Sequence, residues 1–159
     1  MEQIQHVGRL FRTADHALAR EVRRHHEQFG ITSSQGFLLG YLVRRQIAGD
    51  VPIFARDVER YFGVRHSSVS GVLQRMEQKG LIQLVPDSAD RRCKRIVLTD
   101  AALDLREQIE KQIRLTEEKI FGGMTQEEIA TFVRLLRLAA ENLSDGQIIP
   151  PPLTEEVAP

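Results

Sequence analysis

Apolar residues recur along this chain at helical spacing, interrupted once by a short stretch with strand character. From residue 4, Ile4, Val7, Phe11, Ala14, Leu18 and Val22 fall every three or four positions, the period of one helix face. This pattern predicts a long first helix ending near Phe29-Gly30. Thr32, Ser33 and Ser34 offer side-chain oxygens to the exposed amides of a second helix running through Phe37, Leu38, Tyr41, Leu42 and Val43. Gly49-Asp50 and Pro52 close it. A short third helix, about Ala55 to Phe62, stops at Gly63, and a fourth begins two residues later. In the fourth, Val69, Val72, Leu73 and Met76 share a face, and about 100° of rotation per residue sets Ser67, Gly71, Gln74 and Gln78 opposite them.

Gly80 ends that helix, LIQLV (81–85) and IVL (96–98) read as two strands, and PDSADRRCKR (86–95) as the polar tip between them. Thr99 and Asp100 can cap a long helix over about 101–121, striped by Leu105, Ile109, Ile113 and Ile120 and ended by Gly122-Gly123. Thr125-Gln126-Glu127-Glu128 is a T-x-x-E capping box opening a last helix. Ile129, Phe132, Val133, Leu136, Ala140 and Leu143 form its stripe, while Leu135 and Leu138 lie off it, so more than half its circumference is apolar. Such a helix is expected to contact two surfaces. The tail PPPLTEEVAP has no periodicity and reads as a mobile, Pro-rich end, 146–159. No internal repeat appears.

At 159 residues and 18.1 kDa the chain suits one compact unit. Apolar residues at 42% and charged residues at 28% are ordinary globular composition. With Cys93 the only cysteine, neither an intrachain disulfide nor a cysteine zinc cage can form within one chain. No apolar run approaches the ~20 residues that span a bilayer, and the start lacks the basic-then-apolar order of a secretory signal, so a cytoplasmic protein is expected. Formal charge is zero, with 22 basic and 22 acidic residues, yet it is unevenly spread. Residues 1–30 net +1, residues 31–99 net +5 and residues 100–159 net −6. A cationic middle concentrates a positive field where phosphate binding needs one; an unevenly charged but merely solvated surface fits the charge equally well.

The element order within 31–99 is the more specific signal. Helix, helix, Gly turn, helix, strand, basic tip and strand make a winged helix-turn-helix. A small polar helix face preceded by Arg65-His66 suits a major groove about 12 Å wide. Arg91, Arg92, Lys94 and Arg95 on the tip suit phosphates or a narrow minor groove. VSGVLQRMEQKGLI (69–82), then a wing carrying DSADRR (87–92) a few residues before IVLTD, resembles the MarR family of transcriptional regulators. The D-x-R of Asp90-Arg91-Arg92, set between GLI and LT, carries most of the resemblance.

The resemblance implies a mainly α fold, a winged helix-turn-helix (31–99) flanked by dimerisation helices (1–30 and 100–145). It implies a homodimer reading a pseudo-palindrome in double-stranded DNA, usually as a repressor. By similarity, Arg65, His66, Ser67, Ser68, Ser70, Gln74 and Arg75 on the recognition helix and Arg91, Arg92 and Lys94 on the wing would meet DNA, with Asp90 holding the wing in shape. A small-molecule effector in the cleft between dimer helices and winged domain is also implied, and Arg12, His16, Phe37 and Tyr41 are its candidates. Cysteine-sensing members carry a thiol near the start of the first helix; no Cys stands there, and Cys93 reads as a passive exposed thiol.

His6, His16, His25, His26 and His66 include no H-E-x-x-H, so no metal and no cofactor are expected. Catalysis is disfavoured, since G-x-S-x-G, G-x-x-x-x-G-K and G-x-G-x-x-G are all absent from the sequence and Glu117-Glu118 and Glu127-Glu128 are neighbours on exposed helix positions. The competing reading is a winged-helix module that docks protein and binds no specific DNA.

Overall fold

The structure, a computed structural model, describes residues 6–49 and 52–144. Among them the order is α1 (Val7–Gln28), α2 (Ser33–Ile47), β1 (Ile53–Phe54), α3 (Ala55–Phe62), α4 (His66–Gln78), β2 (Ile82–Pro86), β3 (Lys94–Leu98), α5 (Asp100–Ile120) and α6 (Gln126–Leu143). The mainly helical class with a β wing is the one observed. The wing is larger than a hairpin, however: β1 adds to β3 on the side away from β2, giving an antiparallel sheet in the order β1-β3-β2. Ile53 pairs with Ile96 and is 3% exposed. Two residues are too few for alternation to show, and Pro52 ahead of them reads only as a helix stop. The expected start of the first helix at residue 4, the stop at Asp50 and the tail at 146–159 lie outside the described residues.

The core joins Leu38, Leu39 and Leu42 of α2, Val58 and Phe62 of α3, Val69, Val72, Leu73 and Met76 of α4, and Ile82 and Ile96 of the sheet. The face of α4 expected to be apolar is the buried one, so the opposite face must point outward. Gly63 makes the turn from α3 to α4 at φ 64, a conformation costly for any residue with a Cβ. Thr32 and Gln35 form a reciprocal capping box, Thr99 accepts from the Ala102 amide, and Thr125 and Glu128 form a second box.

Two ties fix α4 to its surroundings. The Lys79 ammonium donates to the Gly30 carbonyl and, at 3.0 Å, to Oε1 of the buried Gln35. Glu77 accepts from the Leu84 amide at 2.9 Å. The first binds the end of α4 to the link between α1 and α2; the second binds it to the wing.

Where α1 meets α2, His26 is buried, its ring edge-on to Phe37 at 6.0 Å, and its Nδ1 has no hydrogen-bond partner among the described residues. Gly36 makes room for it: a Cβ there would lie 2.3 Å from the His26 Nε2. Burial, with His25 beside it, pushes the His26 pKa below its ordinary value near 6.5. The folded state therefore binds fewer protons than the unfolded chain as pH falls below 6.5. We expect this part of the stability to be complete above about pH 6.5 and to decline on acidification. Urea midpoints measured from about pH 7.5 to 5 should fall, and the fall should be shallower in His26→Gln.

Further along α1, Glu21 accepts from Lys119 of α5 at 3.0 Å and also pairs with Arg24. The Lys119 hydrogen bond, helped by the charges of Arg24, Lys119 and His25, holds the Glu21 carboxyl below the usual carboxylate range. Otherwise the flanking helices are sparsely covered. No residue of α6 is buried, and Leu135 and Leu138 are each 48% exposed. Leu10, Phe11 and Leu18 of α1 and Ile113 and Ile120 of α5 are exposed too. Among the described residues no helix is long and apolar enough to cross a membrane.

Candidate nucleic-acid interface

One flank of α4, the adjoining α3 and the wing border an open cleft of about 440 Å³, while Ser67 and Gln74 on the outward face of α4 lie outside it. His66 and Ser70 of α4, Arg92, Cys93 and Lys94 of the wing, and Arg56 and Glu59 of α3 line it, over a floor that includes Leu73, Leu84 and Ile96. Four of the ten residues expected at DNA thus border one concavity. Ser67, Gln74 and Arg75 are exposed along α4, Ser68 is half-buried, and Arg65 is its N-cap. Arg65 provides no side-chain oxygen to the first turn, which also carries no acidic residue. The Ser68 and Val69 amides donate to the Arg65 carbonyl, which leaves the His66 and Ser67 amides at the positive end of the helix dipole as donors that a phosphate oxygen could meet.

The wing tip is shaped by two aspartates. Asp87 Oδ2 accepts from the amides of Ala89, at 3.0 Å, and Asp90, at 3.4 Å, folding the turn as an Asx motif. Asp90 Oδ1 accepts from the Arg92 amide at 3.0 Å and from its Nε at 3.3 Å. The Cys93 amide donates to the Asp90 carbonyl, and the Asp87 amide to the Cys93 carbonyl, both at 2.9 Å. The Arg92 side chain is 92% exposed, so beyond this tether its guanidinium stands in solvent at the end of the wing. The Cys93 thiol points at Asp90 Oδ2, 3.8 Å away, and is half-buried. Arg91, Lys94 and Arg95 are exposed beside it.

Sequence reading missed three members of this face. Asp87 was legible as the first residue of D-S-x-D, an Asx-turn signal. Arg56 and Glu59 were not, because their place beside the cleft depends on how α3 packs on α4. Glu59 accepts from His66 Nδ1 at 2.6 Å, and His66 Nε2 lies 3.2 Å from Ser70 Oγ.

The four effector candidates are not brought together. Tyr41 is 2% exposed, stacked on Tyr61 at 4.4 Å; its hydroxyl donates to the Asp57 carbonyl and accepts from Arg45. Burial raises its pKa above 10.0. Phe37 packs edge-on to His26, and Arg12 and His16 are exposed on α1. None of the four lines the cleft between α4 and the wing. Among the described residues no group of three or more His, Cys, Asp or Glu side chains could hold a metal ion.

A MarR family model matches residues 29–92, from the end of α1 to the wing tip. MepR, a transcription regulator of the Staphylococcus aureus multidrug efflux pump MepA, is 27% identical over 86% of this chain and 98% of its own, with a TM-score of 0.74. MepR in its DNA complex covers 86% of this chain and 96% of its own at the same 27% identity, with a TM-score of 0.67. MarR from Oenococcus oeni is 25% identical over 85% of this chain and 98% of its own, with a TM-score of 0.60. Across its winged domain the chain thus matches the MarR family, and along most of its length it shares the fold of these regulators.

Proposed function

We propose that the protein is a sequence-specific regulator of transcription whose homodimer places two α4 helices in successive major grooves of a pseudo-palindromic duplex. Each wing then carries Arg92 to the flanking minor groove, and Asp90 holds the turn that aims it. The observation that carries this reading is the convergence of His66, Ser70, Arg92 and Lys94 on one concave face, backed by a helix buried on its other side. The DNA-bound state of MepR, a protein of the same fold, supports it. Dimerisation is supported by α6, no residue of whose apolar stripe is buried among the described residues. A dimer seated on a promoter excludes polymerase, so repression is the mode we propose, with release by a small-molecule effector. A mobility-shift assay against the DNA flanking the protein's own gene, with unrelated duplex in excess, tests it. A complex that survives the competitor is expected.

A further inference from the structure

We infer that Glu59 is a positioning residue for base readout: acting through His66, it sets whether Ser70 donates or accepts a hydrogen bond at the edge of a base. This rests on the duplex-binding reading above. Glu59 Oε1, His66 Nδ1 and Nε2, and Ser70 Oγ form one chain, with links of 2.6 and 3.2 Å, running from α3 to the half-buried Ser70 on the flank of α4 that lines the cleft. The His66 side chain is 74% exposed, so without these two links its ring would be free to turn.

A carboxylate can only accept, which fixes the ring's polarity. With His66 neutral, Nδ1 keeps its proton toward Glu59, and the bare Nε2 accepts from the Ser70 hydroxyl. Ser70 has then used its only hydrogen, and its remaining lone pairs accept from a donor such as the amino group of adenine or cytosine. With His66 charged, Nε2–H donates to Ser70 Oγ, and the freed hydroxyl hydrogen can donate to guanine N7 or O6, or to thymine O4. One proton on His66 therefore reverses what Ser70 presents. The charged and titratable groups around the ring are Glu59 and Arg56 of α3, Arg92, Cys93 and Lys94 of the wing, and Arg65 at the start of α4 itself.

Electrostatics separates this role from a passive one. A carboxylate beside a phosphate-binding face repels the duplex, so removing an idle Glu59 would strengthen binding to every sequence alike. Removing a positioning Glu59 strengthens binding to unselected DNA and loosens discrimination at one base position in each half-site.

The experiment is selection from a randomised duplex library by the purified full chain at about pH 8 and about pH 5.5, on either side of the range in which histidines ordinarily titrate. We expect the two selections to differ at one position per half-site, from amino-bearing to acceptor-bearing bases on the contacted strand. Glu59→Gln, whose side-chain amide can donate to Nδ1 as well as accept from it and so no longer fixes the ring's polarity, should blur that difference and lower discrimination there about fivefold to tenfold. Combined with Ser70→Ala, it should add nothing to the effect of Ser70→Ala on discrimination. Stronger binding of Glu59→Gln to all sequences with unchanged selection overturns the inference and leaves the duplex reading intact. Failure of the unaltered protein to retain any duplex removes the duplex reading, and this inference with it.

Discussion

A chain carrying Val133→Glu and Leu136→Glu is expected to sediment as a monomer, keep its helical circular dichroism, and lose specific duplex affinity by about a hundredfold or more. Both residues lie on the α6 stripe and are 39% and 42% exposed, so the folded protomer gives up little when they change. In a twofold assembly each substitution occurs twice, and each places a carboxylate in an apolar contact where its desolvation is uncompensated. The loss of affinity follows from geometry: one α4 helix meets one half-site, and the second half-site no longer gains from being tethered beside it. Analytical ultracentrifugation and a duplex titration on the same preparation check both parts. A dimer that persists, or a monomer that binds as tightly, contradicts the proposed assembly.

Arg92→Ala should weaken duplex binding about thirtyfold while leaving thermal stability nearly unchanged. Among the described residues the Arg92 side chain is bonded only to Asp90, it is 92% exposed, and exposed ion pairs add little to folding. At a phosphate or in a narrow minor groove it faces concentrated negative potential, where one charged contact is worth about 1 kcal/mol or more. Two copies in a dimer give about 2 kcal/mol, hence the thirtyfold. Fluorescence anisotropy with a labelled duplex and thermal melts of the same variant provide the two readings.

Much of the fold was legible because its elements are long or sharply punctuated. The 22 residues of α1 and 21 of α5 carry several turns of unbroken period, and Gly63, Gly80 and Gly123 mark stops at positive φ. β1 was lost because its two residues gain strand identity only by pairing with β3. The outward face of α4 was legible from the spacing of Val69, Val72, Leu73 and Met76. The roles of Glu59 and Arg56 were not, since neither sits in the 69–92 stretch that carries the resemblance and both depend on how two helices cross. Tyr41 was singled out for its helix, which would wall an effector cleft; within the protomer its ring packs against Tyr61 and Phe62 and its hydroxyl accepts from Arg45. Lys79, expected only as the last residue of a helix, proved to tie that helix to the link between α1 and α2.

The most direct test of a cationic face built for a double helix is the affinity of the purified protein for duplex DNA as salt is raised. If three of the five cations Arg65, Arg75, Arg91, Arg92 and Lys94 in each protomer reach phosphates, about six counterions leave the duplex per dimer. The logarithm of affinity should then fall linearly with the logarithm of salt, with a slope of about −5. An affinity indifferent to salt, or no duplex complex even at low salt, would contradict it and point to protein docking instead.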